Sequence, residues 1–133
     1  MSSTEPRRFE QSFTVDEADI DELGHVNNVV YLRWVQDVAT AHWMEATTPA
    51  QRAGIAWVVA RHEIDYRAPA LRGDELTART WVAAWTGVRS ERHTEIVRHR
   101  DGTVLARART IWGAVDPESG RPRRLEAGVR ERF

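Results

Sequence analysis

Along "RRFEQSFTV" the residues alternate in direction, Phe9, Phe13 and Val15 sharing one side with Gln11, and a period of two over this length predicts a strand. From Asn28 to Glu45 the period changes to that of a helix. Its polar positions Arg33, Gln36, Asp37 and Thr40 fall on one narrow stripe, and nearly every other position is apolar or aromatic. A helix apolar over most of its circumference is a buried one. "TTPAQRAG", with Pro49 and Gly54, breaks the pattern.

Four more strands follow. "AWVVARHEIDY" carries Val58, Ala60, Ile64 and Tyr66 on one face, and "DELTARTWVAAW" comes after the loop "APALRG". Thr86–Gly87 predicts a tight connection to "RSERHTEIVRH", and Asp101–Gly102 is a hairpin signal leading into "TVLARARTIWGAV". In that last strand Val104, Ala106, Ala108 and Trp112 oppose Arg107 and Arg109. The tail "DPESGRPRRLEAGVRERF" is polar and Arg-rich, with a short terminal helix expected. Ser90/Arg92/Thr94 and Glu91/His93/Glu95 both read as too polar for core. One sheet covers only part of a helix this apolar, so a homodimer or homotetramer is expected.

With 133 residues and neither repeat nor linker, the chain reads as one domain over residues 1–133. No apolar run approaches the ~20 residues that span a bilayer, so no membrane partner is expected. The net charge of −1 argues against nucleic acid as a partner. The absence of cysteine excludes disulfides and thiolate chemistry, and a reducing cytoplasm is the expected location. All 19 basic residues are Arg, and codon bias explains the missing Lys more simply than function does. The six tryptophans read as packing rather than as an aromatic binding box.

The chemistry concentrates in "DIDELGHVNNVVYLRW", Asp19 to Trp34, where an acidic turn runs into the apolar helix. Asp21, Gly24, "HVNN" at 25–28 and "YLRW" at 31–34, with "EIDYRAPALRGDEL" at 63–76, resemble the hotdog-fold thioesterases of the 4-hydroxybenzoyl-CoA thioesterase type. The resemblance runs from about Phe9 to about Val115 and implies an α+β hotdog fold, an antiparallel sheet of about five strands wrapped around a central helix. It implies hydrolysis of an acyl-CoA thioester, with Asp21 as nucleophile or general base and His25 orienting or assisting it. Coenzyme A enters only as part of the substrate, and no cofactor or metal is required.

The residue types suit that chemistry. Free amides at the first helical turn, around Asn27 and Asn28, stabilise a developing oxyanion with help from the helix dipole. A carboxylate before that turn attacks or deprotonates water. Arg89, Ser90 and Arg92 follow a turn where the family often meets the nucleotide end of coenzyme A. The stretch also resembles the active-site pattern of plant acyl-carrier-protein thioesterases, and the chain departs from this plant-type pattern: Leu23 stands where an Asn is usual and Pro69 where a Glu is usual.

Plainer readings stand beside these. Asp21 is also a good turn residue, Asn27 and Asn28 are good helix caps, and the Arg residues suit a solvated strand face. Two other functions share the fold: a hydratase or dehydratase, for which His42 lacks an evident acidic partner, and a non-catalytic acyl-CoA-binding protein.

Overall fold

The computed structural model describes residues 5–133, so the first four residues of the expected domain lie outside the description. Strand β1 (Phe9–Thr14) is followed by a short 3₁₀ turn (Glu17–Asp19), helix α1 (Asn28–Ala46) and the single-turn α2 (Pro49–Arg52). Four long strands come next, β2 (Ala56–Tyr66), β3 (Glu75–Thr86), β4 (Arg89–Arg98) and β5 (Val104–Val115), and then α3 (Ala127–Arg130). The strands form one antiparallel sheet in the order β1-β3-β4-β5-β2, with α1 packed on one face. This is the α+β hotdog arrangement that the resemblance implied. No helix among the described residues is long and apolar enough to cross a membrane.

Helix α1 starts because the Asn27 side chain accepts from the Val29 amide at 3.1 Å, satisfying one of the donors left over at a helix start. Tyr31, Trp34, Val35, Val38, Ala39 and His42 are buried, a stripe of helical spacing against the sheet. Arg33, Gln36, Asp37 and Thr40 are exposed, as their spacing predicts. Val29 and Met44, 68% and 53% exposed, show that the sheet of one chain leaves part of the helix uncovered.

Three expectations need correction. The first concerns β2, where Val58 and Ala60 are exposed and do not share the inner face with Ile64. A bulge between Val59 and Arg61 shifts the pairing with β5, so Trp57 packs inward before it and Ile64 after it. An extra residue in one strand reverses the parity of every side chain beyond it. The second is the β3–β4 connection, where Thr86 pairs with Arg89 and the two-residue loop is Gly87–Val88. Gly87 has φ +61° and Val88 has no positive φ, the requirement of a loop with glycine at its first central position.

The third correction concerns β4. Ser90, Arg92 and Thr94 are buried, 4%, 6% and 2% exposed. The face is polar but it is core, because its groups bond one another. Arg92 Nη1 donates to the Thr80 hydroxyl at 3.1 Å, and the Thr80 and Thr94 hydroxyls lie 3.2 Å apart. The opposite face is polar and solvated: Arg109 donates to Glu91 at 2.6 Å, with His93 2.9 Å from the other Glu91 oxygen.

Two apolar clusters result. One joins Tyr31, Trp34 and Val38 to Leu76, Ile96 and Leu105. The other gathers Val82, Leu125, Val129 and Phe133, with Trp43, Trp57 and Trp85 packed against them. The tail that read as merely polar therefore closes the second cluster through three apolar side chains.

Candidate active site

The acidic turn is built from local hydrogen bonds. Asp16 caps the 3₁₀ turn, its carboxylate accepting from the Ala18 amide at 3.1 Å. Asp19 is buried and paired with Arg33 at 2.9 Å, while its carbonyl accepts from the Asn27 amide at 2.9 Å. Both contacts fasten the turn to the first turns of α1. Asp19 is thus a positioning group, not a free base.

Asp21 is held differently. Its Oδ1 accepts from the amides of Leu23 and His25 at 2.9 and 3.2 Å, and its own amide donates to the His25 carbonyl at 2.7 Å. Gly24, at φ +79°, supplies the left-handed residue this loop needs. The second carboxylate oxygen, Oδ2, has no partner among the described residues. The turn-residue reading and the chemical reading of Asp21 are therefore compatible: one oxygen shapes the loop and the other is free.

Asp21 and His25 line an open groove of about 490 Å³. Its other wall comes from the end of β2 and the loop after it, with Tyr66, Arg67, Ala68 and Pro69. Long-range backbone contacts hold the walls together, as Val26 donates to the Ala70 carbonyl at 3.0 Å and His25 bridges to Leu71. Tyr31 and Tyr66 also line the groove, their rings edge to face with centroids 5.3 Å apart. The Tyr66 hydroxyl donates to the Asn28 carbonyl at 3.0 Å, and the Tyr31 hydroxyl accepts from the Ala70 amide at 2.9 Å. Burial pushes the Tyr31 phenol up from its ordinary pKa, so it stays protonated. Neither tyrosine was singled out as a site residue, although both lie in the segments that carry the family resemblance.

The helix start has one open donor. The Asn27 amide is occupied by the Asp19 carbonyl and the Val29 amide by the Asn27 side chain. This corrects the expectation for Asn27, whose amide and side-chain oxygen both serve the fold. Among the described residues the Asn28 amide alone of these three has no acceptor, and Asn28 lines the groove. Leu23, 81% exposed, and Pro69 occupy the positions where the plant-type pattern has Asn and Glu, and both line the groove. Its walls are accordingly less polar there.

Arg89, Ser90 and Arg92 do not join this groove. Arg89 is exposed at the start of β4, whereas Ser90 and Arg92 turn inward. Their side chains are not surface ligands for a nucleotide, because their strand face is covered by α1. Arg92 Nη1 lies 2.9 Å from His42 Nδ1, which settles what His42 faces: a cation, with no carboxylate. Burial, and after it the Arg92 charge, push the His42 imidazole down to about 4. An acid–histidine pair of the kind a hydratase needs is not formed there. Among the described residues no group of three or more His, Asp or Glu is placed to hold a metal ion.

Comparison with known proteins agrees with this fold. The family model of the thioesterase-like superfamily matches residues 15–133. The long-chain acyl-CoA thioesterase FadM of Escherichia coli (strain K12) is 27% identical over 122 residues, 86% of this chain and 88% of that protein. Among solved structures, the YbaW probable thioesterase from Escherichia coli has a TM-score of 0.82 at 26% identity, covering 92% of this chain and 94% of that one. A 4-hydroxybenzoyl-CoA thioesterase, solved as an Asp-to-Asn mutant with 4-hydroxybenzoyl-CoA, has the same fold, with a TM-score of 0.84 at 19% identity over 95% of this chain and 98% of that one.

Proposed function

This chain belongs to the thioesterase-like superfamily, and on that premise we propose that it hydrolyses an acyl-CoA thioester to the free acid and coenzyme A, with Asp21 as the catalytic carboxylate. The observation that carries the reading is one open acceptor and one open donor on the same groove: Asp21 Oδ2 and the Asn28 amide. The thioester carbonyl oxygen accepts from the Asn28 N–H at the positive end of α1, which stabilises the charge of the tetrahedral intermediate. Oδ2 either attacks the carbonyl carbon or takes a proton from an attacking water. The thiolate departs with little acid assistance, so no strong general acid is needed. His25 is exposed beside Asp21 and assists it, and Arg89, exposed outside the groove at the start of β4, is assigned to the phosphates at the far end of coenzyme A.

FadM is named a long-chain acyl-CoA thioesterase, and a long acyl group is the first to try here. The purified protein is expected to release free thiol from an acyl-CoA with no added metal, at a rate unchanged by EDTA. Absence of hydrolysis across short, medium, long and aromatic acyl-CoAs would leave the non-catalytic acyl-CoA-binding reading. Loss of activity on chelation, restored by zinc or manganese, would overturn the mechanism.

The active species is proposed to be a homodimer or a homotetramer. Val29 and Met44 on α1, and Val58 and Tyr66 on the edge strand β2, are exposed apolar groups that a second copy covers. Light scattering is expected to give a multiple of 15.2 kDa. A stable folded monomer at micromolar concentration would refute the assembly.

A further inference from the structure

At the other end of α1 the structure encloses a second space. A cavity of about 60 Å³ lies between the helix and strands β2 to β5, walled by Trp43, Trp57, Trp85, Trp112 and Phe133, with Arg92 on its lining. Thr40, exposed on α1, stands at its rim. About 18 Å along the helix axis separates Asn28 from Thr40 at 1.5 Å per residue, so this is a different place from the groove.

Its lining holds donor side chains, Arg92 and Trp112 among them, beside the Ser90 and Thr40 hydroxyls, and no carboxylate side chain. Arg92 is 6% exposed, yet among the described residues no carboxylate lies within ion-pair distance of it. Both hydrogen bonds of its guanidinium leave from Nη1, toward His42 and Thr80, so Nη2 and Nε make none. The indole Nε1–H of Trp112 is buried and has no partner either. The Phe133 ring, 6.0 Å from the guanidinium, offers only a weak cation–π contact. His42 supplies no counter-charge. A cation this deep without an anion is costly for a fold to keep, and buried donors are normally matched by acceptors.

We infer that this cavity is a carboxylate-binding pocket, in which Arg92 and the Trp112 indole N–H receive the carboxylate oxygens and the tryptophans enclose the adjoining apolar carbons. The volume admits a few heavy atoms, so the pocket takes the end of a ligand whose remainder leaves past Thr40. Two sources supply that chemistry. One is the distal carboxylate of a dicarboxylic acyl-CoA and the other is a free carboxylic acid. Only the acyl-CoA source rests on the hydrolase reading of the groove.

Four tryptophans on the wall give a readout that does not depend on turnover. Hexanoate titrated into the full-length protein is expected to change tryptophan emission saturably. Hexanamide, the neutral isostere, should bind roughly tenfold more weakly or worse, the factor a hydrogen bond to a charged group is worth. Arg92→Met should abolish the preference, while Asp21→Asn should leave it intact. In the kinetic arm, dodecanedioyl-CoA and hexadecanedioyl-CoA are compared with their monocarboxylic counterparts. A preference in kcat/KM for the dicarboxylic substrates that Arg92→Met removes assigns the pocket to the acyl group. Carboxylate binding without that preference assigns it to free acids. Binding with no hydrolysis of any acyl-CoA keeps the pocket and removes the proposed activity. If the wild-type protein fails to distinguish carboxylates from their isosteres in both arms, the cavity holds structural water only and the inference is wrong.

Discussion

The two ends of α1 handle polar groups in opposite ways. At its start Asp21, His25 and Asn28 are exposed around an open groove, held by backbone hydrogen bonds that spare one carboxylate oxygen and one amide. At its end His42, Arg92, Thr80 and Thr94 are buried and bonded mainly to one another. The first set contributes little to stability and is free for chemistry. The second is part of the packing, so protonating His42 changes stability, while Arg92 bonds through Nη1 and leaves its other nitrogens to the cavity.

The sharpest way to break this contrast is at the groove. Asp21→Asn keeps an oxygen for the Leu23 and His25 amides but removes the negative charge. It should lower kcat by roughly 10²–10⁴, the range for a lost general base, with KM nearly unchanged. Stability should move by less than about 0.5 kcal/mol, as expected for a surface change that leaves the local bonds in place. His25→Ala keeps the backbone amide that Asp21 uses and should cost less. Near-normal kcat for Asp21→Asn would make Asp21 a turn residue and nothing more.

The buried end is probed by acid. His42 has its pKa lowered to about 4 in the fold against an ordinary 6.5 in the unfolded chain, so the unfolded state binds the proton more readily. The stability from keeping it neutral is complete above the unfolded value and is lost as the pH falls through the folded one. The full shift corresponds to about 3 kcal/mol. Thermal unfolding from pH 7 to 4 should show the loss, and His42→Gln, which retains an acceptor for Arg92, should flatten that window. An unchanged profile in the variant would mean that other groups control acid unfolding. The smallest effect is expected at the helix cap. Asn27→Ala removes the bond to the Val29 amide and should cost about 1 kcal/mol in denaturant unfolding, with kcat falling only as far as the groove wall loosens.

Much of the groove was legible because it is local. Asp21, Gly24, His25 and the Asn27 cap lie within one short segment, and their spacing dictates the loop and the helix start. What sequence could not assign was which amide stays free, since the Asn27 amide is taken by Asp19 only once the 3₁₀ turn has folded back on the helix. The buried end was misread for a physical reason. Ser90/Arg92/Thr94 and Glu91/His93/Glu95 alternate with the same period and similar polarity, and period alone does not say which face meets the core. Partners from far away decide it: His42 lies 50 positions before Arg92, and Phe133 arrives from the end of the chain.

By itself, then, the sequence determined the strand and helix periods, their order, the acidic turn with its glycine and a helix cap at Asn27 or Asn28, because each depends on neighbours within a few residues. Only the tertiary structure decided the parity of β2 beyond its bulge, the burial of Arg92, and the meeting of four tryptophans around it. Those depend on strand register and on contacts between distant segments, and a one-residue shift in pairing would have placed the same side chains in water.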